Sequence, residues 1–384
     1  MGVDFDSTDR EQMHKNKVLN VLDTGFFTTN DLILSPQLGV LSSRSEAEIK
    51  PYIYTSPMDT VTGYKMTEAI VEEGEYAVVC RFLSQEWKDC LRDFYKHKNV
   101  FFAIGASQTN YDELISLLQE LSGIVDDYVP VSICLDIAHG DSQMAHQITA
   151  KLSQSPLVGR IMSGCISNPN GAVRAIEAGC SDIRVGIGPG SVCTTRLMTG
   201  CGMPQLSAVY LVHLAILDAM GPERRKRFKV IADGGIKHPG DAVKLLAAGA
   251  DGIMMGSVFS SVYESPGWID LNDIHHIKNQ INKPVSFPLQ RPQPSYVKKY
   301  RGQASASFQQ DMFGTSNNCP EGATTDYIKP TSPVKEVLDL YRGGLRSAIS
   351  YLGLKSIDDL EPDNVVFIPL TQASYIEGTP HGTT

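Results

Sequence analysis

The chain has 384 residues, of which 42% are hydrophobic and 20% are charged, a composition typical of a soluble globular protein. A formal net charge of −9 disfavours a general nucleic-acid surface or a surface for anionic membranes. The first residues, MGVDFDSTDREQMHKNK, contain no apolar secretory core, and no apolar run reaches the roughly 18 residues of a spanning helix. We therefore expect a cytoplasmic protein with no nucleic-acid partner and no membrane partner.

Short apolar runs alternate with amphipathic stretches from residue 52 onward. Near-continuous apolar, β-branched runs are typical of strands that are buried on both faces. Most of these runs are followed by a helix-like segment such as GYKMTEAIVEE or NYDELISLLQEL. The eight predicted strands are YIYTSP, EYAVVCR, VFFAIGA, VSICLDIA, RIMSGCIS, DIRVGIG, KVIADGG and GIMMGS. Eight strand–helix repeats favour an α/β fold of the (β/α)8 TIM barrel type over a doubly wound sheet.

Two regions lie outside this repeat. Residues 1–51 precede the first predicted strand, and we expect them to pack on a catalytic barrel that spans residues 52–384. Residues 266–332 are rich in Pro, Gln, Ser and Asn, and a loop of this length is usually functional or disordered. We favour a mobile flap over the active site at about residues 285–332, with a plain disordered linker as the alternative. SPVKEVLDLYRGGLRSAISYLG then predicts the last barrel helix, before a tail at residues 356–384.

Unusual polar and glycine-rich residues follow several of the predicted strands. The segments are SPMD, LDIAHGD, GIGPGSVCTT, ADGG and MGS. In a barrel of this kind the chemistry is located at the carboxyl ends of the strands. The sequence therefore predicts an active site at that end of the barrel.

Cys193 lies in GIGPGSVCTT, a loop with three glycines and a proline directly after a strand-like run. A structural cysteine is typically packed in apolar surroundings, which such a loop does not provide. The eight cysteines include no CxxC pair and no zinc spacing, so we expect reduced thiols. We infer that the Cys193 thiol is presented to a ligand.

Glycine-rich turns follow the last two predicted strands, in KVIADGGIKHPGD and ADGIMMGSVF. Backbone N–H groups and a helix N-terminus at such turns form a frequent phosphate cradle in barrels, and glycine permits close approach. The alternative interpretation is a pair of tight turns that need glycine for their conformation alone. Asp233, beside these glycines, would direct a carboxylate at groups next to the phosphate, such as sugar hydroxyls.

Four motifs together resemble one enzyme family. They are GIGPGSVCTTR…TGCGMPQLSAV, SPMDTVT, IADGGIKHPGDAVKLLAAGAD and RGGLRSAISYLG. From about Asn30 to the C-terminus, the sequence resembles the inosine monophosphate (IMP) dehydrogenase / guanosine monophosphate (GMP) reductase family. The resemblance implies a homotetramer of (β/α)8 barrels that binds a purine ribonucleoside monophosphate. It also implies that Cys193 attacks C2 of the purine and that a nicotinamide exchanges a hydride with that carbon.

The resemblance implies further roles, position by position. Asp233 would bind the ribose 2′- and 3′-hydroxyls, so a ribonucleotide is expected. The nicotinamide cofactor would lie against Asp136, Ala138 and Gly140. The other implied contacts with the nucleotide are Ser56, Met58, Ser191, Gly235, Gly256, Ser257, Tyr300, Gly302 and Ser305. A potassium-binding turn is implied for the backbone of Gly188, Gly190 and Cys193, completed by the partner subunit's Glu377.

The two branches of the family share the cysteine step and differ in what happens next at C2. The resemblance implies either IMP oxidation with NAD, followed by hydrolysis that an Arg-Tyr pair on a flap assists, or reductive deamination of GMP with NADPH. The segment GQASASFQQDMFGTSNNCPE contains no arginine, whereas Thr195 and Glu321, the pair that a reductase needs, are present. Arg81 leads directly through FLSQEWKDCLRDFYKHKNV, which leaves no room for the regulatory CBS modules of most dehydrogenases. The sequence therefore favours a GMP reductase that uses NADPH.

Three residues depart from the family pattern. The resemblance places Arg81 among the catalytic residues. It replaces a lysine that the family has after the second strand, and arginine is a poor proton donor. Cys165 stands where asparagine is usual, and Gln303 where methionine is usual. Two other enzymes therefore stay open: an IMP dehydrogenase without CBS domains that uses NAD, and a family member that acts on a modified purine nucleotide. A catalytically silent nucleotide-binding protein is the non-enzymatic alternative, and the intact nucleophile argues against it.

Overall fold

Eight parallel strands form a barrel at the centre of the molecule. The computed structural model describes residues 20–271, 295–316 and 318–378. The strands in chain order are β1 (Leu32–Leu34), β2 (Ile53–Thr55), β3 (Ala77–Val79), β4 (Val100–Ile104), β5 (Val131–Leu135), β6 (Val158–Met162), β7 (Asp182–Val185), β8 (Lys229–Asp233), β9 (Gly252–Met255), β10 (Ile269–Asp270), β11 (Tyr296–Arg301), β12 (Thr324–Ile328) and β13 (Phe367–Pro369).

The barrel strands pair in the order β2-β9-β8-β7-β6-β5-β4-β3. Strands β2 and β9 pair in parallel, with Ile53 opposite Ile253. A parallel bridge between Tyr54 and Tyr76 joins β2 to the residue before β3 and brings the sheet nearly to closure. Seven of the eight predicted strand segments contain one of these strands and the eighth, RIMSGCIS, overlaps the end of β6, so the prediction of a (β/α)8 barrel is confirmed.

Helices follow most of the barrel strands. In chain order they are α1 (Tyr64–Glu72), α2 (Ser84–Phe94), α3 (Gln108–Ile124), α4 (Gln143–Ser153), α5 (Pro169–Glu177), α6 (Thr195–Thr199), α7 (Gln205–Met220), α8 (Pro222–Arg225), α9 (Pro239–Ala247), α10 (Ala306–Phe313), α11 (Val334–Tyr351) and α12 (Gln372–Glu377). The predicted last barrel helix is α11, and its Leu338, Leu345 and Ile349 are buried at helical spacing. Among the described residues, no helix combines the length and apolarity needed to traverse a lipid bilayer.

Several helices begin at a polar side chain that satisfies a free backbone N–H group. Ser107, Ser142 and Asn168 accept hydrogen bonds from the backbone N–H three residues later, at the starts of α3, α4 and α5. Each of these caps fixes the point at which the chain leaves a strand-end loop and enters a helix. The three caps therefore define where the loops that lead from the strands into α3, α4 and α5 end.

The barrel interior is filled by side chains rather than open. Alternate residues of a strand point to opposite faces, so one set from each strand faces inward. Arg160 lies 4.8 Å above the Phe101 ring and pairs with the fully buried Asp182. The interior cluster comprises Tyr54, Val78, Phe101, Ala103, Cys134, Met162, Ile231 and Met254. This packed interior confines open space to the ends of the barrel.

Residues before β2 pack beside residues near the C-terminus. Strand β1 pairs with β13 in antiparallel fashion, and Glu48 forms a parallel bridge with Ser356. Lys244 in α9 donates to the carbonyl oxygen of Thr29 at 2.6 Å. The predicted extension 1–51 thus contacts the barrel where it is described, while residues 1–19 lie outside the described residues.

Residues 295–328, here called the cover segment, contain regular structure that the sequence analysis did not predict. Strands β11 and β12 pair in antiparallel fashion, and α10 lies between them in sequence. Strand β10, which precedes the cover segment, pairs with the other side of β11. The backbone N–H of Ala323 donates to the Val192 carbonyl at 2.7 Å, and that of Thr194 donates to the Glu321 carbonyl at 2.9 Å. The cover segment is therefore bonded to the loop that carries Cys193. The predicted flap begins at 285, outside the described residues, and its mobility stays a prediction.

Candidate active site

A cavity of about 720 Å³ opens at the carboxyl ends of the barrel strands. Parallel strands in a barrel bring all their following loops to one end, which explains why residues distant in sequence meet there. The predicted residues in its wall are Ser56, Met58, Arg81, Asp136, Ala138, Gly188, Gly190, Ser191, Cys193, Thr195, Asp233, Gly235, Gly256, Ser257, Tyr300, Gly302 and Glu321. The structure thus brings most of the predicted site into one space.

Cys193 is half-buried on the loop between β7 and α6. Its thiol donates to the Thr195 hydroxyl oxygen, with Sγ and Oγ1 separated by 3.2 Å. The backbone N–H of Cys193 donates to the Gly190 carbonyl at 3.1 Å and closes a tight turn. A thiol held in this way, open to a cavity and next to a hydroxyl group, has the placement of a nucleophile.

Gly256 lies where three predicted nucleotide-binding side chains converge. A Cβ atom at this position would lie 2.9 Å from the Tyr300 hydroxyl, 3.0 Å from the Met58 sulfur and 3.3 Å from the Ser56 hydroxyl. Glycine is therefore the residue that fits this corner of the cavity. Burial raises the pKa of Tyr300 to about 12, so its phenol remains a hydrogen-bond donor at neutral pH. The corner presents the hydroxyl groups of Ser56 and Tyr300 beside a glycine, and hydroxyl groups can donate hydrogen bonds to an anion.

A buried arginine joins two predicted binding residues. Arg184 in β7 donates to Asp233 at 2.7 Å through Nε and to Asp136 at 3.2 Å through Nη1. Arg81 donates to the other carboxylate oxygen of Asp136 at 3.3 Å. Although burial opposes its charge, the Asp233 carboxylate holds the pKa of Arg184 well above the ordinary value. The two carboxylates are consequently fixed in orientation relative to each other.

A second cysteine, Cys165, also lines the cavity. Its Sγ lies 3.9 Å from a carboxylate oxygen of Asp233. Burial raises the pKa of Cys165 to about 12, with the nearby Asp233 carboxylate acting in the same direction. At neutral pH this thiol is protonated and a poor nucleophile.

Aromatic side chains form one wall of the cavity. Phe82 meets Phe308 edge to face with ring centroids 4.8 Å apart, and Phe313 lies 6.2 Å from Phe82. The Arg81 guanidinium lies 4.0 Å above the Phe82 ring. Such a wall suits a flat ring, and it lines the same cavity as Ala138 and Asp136, for which the resemblance implies contact with the nicotinamide cofactor.

A family model described as "IMP dehydrogenase / GMP reductase domain" matches residues 34–381. The match covers most of the chain, including the barrel, the Cys193 loop and the described part of the cover segment. The chain belongs to this family. Its barrel and its strand-end cavity are therefore those of a purine nucleotide oxidoreductase family, as the sequence motifs predicted.

The chain is similar to inosine-5′-monophosphate dehydrogenases of several bacteria. It is 32% identical to the protein of Chlorobaculum parvum over 293 residues, which are 76% of this chain and 54% of that protein. It is 35% identical to the protein of Chlorobaculum tepidum over 253 residues, 65% of this chain and 47% of the relative. The protein of Halalkalibacterium halodurans is 35% identical over 250 residues, with the same shares. The chain spans about half the length of the curated relatives it matches.

These similarities confirm the predicted family and leave the predicted branch unconfirmed. The relatives named above are all dehydrogenases, which favours the alternative of an IMP dehydrogenase over the predicted GMP reductase. NADPH, potassium and a homotetramer stay predictions.

Three predicted site residues lie outside the cavity wall. Gly140 donates its N–H to the Cys165 carbonyl at 2.7 Å and abuts Gly164, so it holds two neighbouring loops together. Ser305 is buried and caps α10 by accepting from the Phe308 N–H at 3.3 Å. Glu377 is exposed at the end of α12. Their predicted roles in cofactor, nucleotide and potassium binding stay predictions.

Sequence reasoning missed Arg184, Gln205 and the aromatic wall. Arg184 was hidden inside a strand-like run, where the sequence gives no sign of which face a charge occupies. Gln205 is buried and donates to the carbonyls of Val185 and Asp233 at 2.8 Å and 3.1 Å, which ties the ends of β7 and β8 together. The presence of Arg184 in a strand that is predicted to be buried could have indicated an acidic partner, since a charged residue within a buried strand requires one.

Proposed function

We propose that this chain is a nicotinamide-dependent oxidoreductase that acts at C2 of a purine ribonucleoside monophosphate through a covalent bond to Cys193. The observation that carries the proposal is the Cys193 thiol, 3.2 Å from the Thr195 hydroxyl in the wall of the strand-end cavity. In the proposal, Asp233 binds the ribose hydroxyls and the Gly256 corner receives the phosphate. The aromatic wall with Asp136 and Ala138 receives the nicotinamide, which accepts or supplies the hydride.

Oxidation of IMP and reduction of GMP share one proposed step, the formation of a bond between the Cys193 sulfur and C2 of the purine. In oxidation, Cys193 sulfur bonds to C2 of IMP, the C2 hydrogen leaves as hydride, and the thiol proton is released. Water then displaces the sulfur and yields xanthosine monophosphate and the free thiol. In reduction, sulfur displaces the amino group of GMP, which leaves with the thiol proton as ammonia. A hydride and a proton then convert the sulfur–C2 intermediate into IMP and the free thiol.

The first candidate direction is oxidation of IMP with NAD. It is supported by the names of the relatives, which are dehydrogenases at 32% to 35% identity. The barrel fold alone does not distinguish oxidation of IMP from reduction of GMP, because the same fold hosts both reactions.

The second candidate direction is reductive deamination of GMP with NADPH, and residues of the cover segment favour it. No arginine occurs between Gly302 and Glu321 to activate water. The preceding Arg301 is engaged instead, donating to Asp59 at 2.8 Å and pairing with Asp311. Thr195 touches the nucleophile, and Glu321 lines the same cavity, where the two would pass protons to departing ammonia.

One assay run in both directions tests the function. Purified protein is mixed with IMP and NAD, and separately with GMP and NADPH, while the nicotinamide absorbance is recorded. We expect turnover in one direction with the unmodified nucleotides, since the predicted binding residues line one cavity. Tight nucleotide binding without turnover in either direction would support the catalytically silent alternative and contradict the proposal.

Assembly and location are proposals that follow from the family resemblance. We propose a homotetramer in the cytoplasm, without nucleic-acid or membrane partners. Light scattering coupled to gel filtration measures the mass of the particle. A monomeric mass at working concentration would contradict the tetramer.

A further inference from the structure

Gln303 lies in the cover segment between β11 and α10, and it lines the strand-end cavity. Its Nε2 donates a hydrogen bond to the Pro57 carbonyl. Pro57 lies between Ser56 and Met58 in the loop that follows β2. The Gln303 amide is therefore held against a loop whose two flanking residues also line the cavity.

The backbone on both sides of Gln303 packs against segments that carry other residues of the site. A Cβ atom at Gly302 would lie 3.1 Å from the carbonyl oxygen of Val192, the residue before the nucleophile. On the other side, the Ala304 carbonyl accepts from the Glu321 N–H at 3.1 Å. Gln303 is thus placed between the nucleophile loop and Glu321 in the wall of one cavity.

The bond to Pro57 fixes the orientation of the Gln303 amide. A carbonyl oxygen accepts hydrogen bonds and does not donate them, so the amide NH2 group must face Pro57. An amide has two N–H donors and one acceptor oxygen, so the bond leaves Oε1 and one N–H for a ligand. Among the described residues, none donates to Oε1 and none accepts from the second N–H. A half-turn of the amide would place two oxygens against each other, so the donor and the acceptor cannot exchange positions without loss of the Pro57 bond.

The free acceptor and donor of this amide match one class of purine. In the proposed function C2 lies at the nucleophile, and of the two ring atoms bonded to C2, N3 lies on the sugar side and N1 lies away from it. A 6-oxopurine such as hypoxanthine or guanine carries an N1–H donor next to the O6 acceptor, so Oε1 can accept from N1–H while the free N–H donates to O6. Adenine carries the reverse pattern, an N1 acceptor next to the N6 amino group. It would oppose like groups to the fixed amide.

We propose that Gln303 is a specificity-determining residue that selects a 6-oxopurine nucleotide by holding a fixed amide against its N1–O6 edge. The proposal rests on the proposed function in taking a purine with C2 at Cys193. It applies to IMP and to GMP alike, so it does not depend on the direction of the reaction. Gln303 contacts the base in this account and takes no part in hydride or proton transfer.

Nucleotide binding without cofactor tests the proposal, because IMP then has no hydride acceptor and stays unreacted. Dissociation constants of IMP and of adenosine monophosphate (AMP) are measured by calorimetry for the unmodified protein, Gln303→Met and Gln310→Met. Methionine has nearly the length of glutamine, and its thioether does not donate a hydrogen bond. Gln310 is the matched control, a glutamine that is exposed on α10 and does not line the cavity.

We expect the unmodified protein to bind IMP about tenfold or more tightly than AMP. Gln303→Met should weaken IMP binding about tenfold and AMP binding less than about twofold, whereas Gln310→Met should change neither. An unchanged ratio of the two dissociation constants in Gln303→Met would overturn the proposal, even if both nucleotides bound more weakly. Equal weakening is the result that a merely structural role of the Pro57 bond predicts.

A second variant, Gln303→Glu, keeps an acceptor and removes both donors. Its carboxylate accepts from the N6 amino group of adenine and repels O6. We expect the preference for IMP over AMP to fall at least as far as in Gln303→Met. A preference that stays at the value of the unmodified protein would contradict the proposal.

The same measurements separate this proposal from the proposed function. If no purine nucleotide binds the unmodified protein, the proposed function fails. If IMP and AMP bind equally well, the proposed function stands and the role assigned to Gln303 fails. If neither variant folds, the unmodified protein decides: equal binding contradicts the role of Gln303, and a preference of about tenfold or more for IMP supports it.

Discussion

Two cysteines on neighbouring strand-end loops line the same cavity, and their surroundings differ. Cys165, after β6, lies 3.9 Å from the Asp233 carboxylate, and burial raises its pKa to about 12. Cys193, after β7, lies on a glycine-rich loop with a hydroxyl at 3.2 Å, and the Arg196 side chain donates to the Ile187 carbonyl of the same loop. The comparison shows that the cavity contains one thiol suited to remain protonated and one suited to react. In the proposed function the environment, and not the residue type, selects Cys193 over Cys165 as the nucleophile.

The largest expected effect is that of Cys193→Ala. Turnover should fall on the order of 10⁴-fold or more, because the covalent step has no substitute. Nucleotide affinity should change little, since Asp233 and the Gly256 corner remain. Turnover and calorimetric binding are measured side by side, with Cys201→Ala as the control, because Cys201 is exposed in the short connection after α6. Retained turnover in Cys193→Ala would remove the basis for the distinction between the two thiols.

Arg184→Met tests the carboxylate pair beside Cys165. The substitution leaves Asp136 and Asp233 without their shared buried partner, and it should lower the free energy of unfolding by about 3–5 kcal/mol. Chemical denaturation measures the loss. The matched control is Arg174→Met, whose guanidinium is half exposed against Asp141 and should cost less than about 1 kcal/mol. Equal losses in the two variants would show that the network near Cys165 is not a structural element of the barrel.

The pH dependence of alkylation distinguishes the two thiols directly. Because the pKa of Cys165 is about 12, its thiolate fraction should rise tenfold per pH unit from about pH 7 to about pH 10. Labelling of Cys165 should follow that slope in peptide mass spectrometry. A plateau below about pH 10 would mean that the sulfur is not held protonated by its surroundings.

The smallest expected effect is that of Cys165→Ala. A protonated thiol with no assigned step should be dispensable for the chemistry, so turnover should stay within about tenfold of the unmodified protein. The expected cost in the free energy of unfolding is about 1 kcal/mol, as for an average substitution. Loss of turnover as severe as that of Cys193→Ala would assign a catalytic role to Cys165.

The barrel could be predicted from the sequence because strands buried on both faces leave unmistakable apolar runs. The wall of the site could be predicted because the strand-end motifs are polar or rich in glycine. Arg184 could not, since the direction of a side chain in a strand depends on register, which one sequence does not reveal. The cover segment was interpreted as part of a mobile flap, and its strands were not predicted, because YVKKYR and TTDYI are short and are stabilised by pairing with each other, with β10 and with the Cys193 loop.

Arg196 shows the same limit on a smaller scale. The sequence marks the nucleophile loop by its glycines, and the motif suggested a bound metal ion there. Only the fold shows that Gly188 and Gly202 enclose an arginine side chain. Local motifs identified the loop, whereas long-range packing determined which side chain it encloses.

The most direct test of the account is the mass of the peptide that contains Cys193 after an acid quench during turnover. The protein is mixed with nucleotide and cofactor in the active direction, quenched within one turnover, digested and analysed. The account predicts that this peptide gains the mass of a purine nucleotide joined through C2, while the peptide that contains Cys165 remains unmodified. Rapid turnover with no nucleotide on Cys193 at any quench time would contradict it.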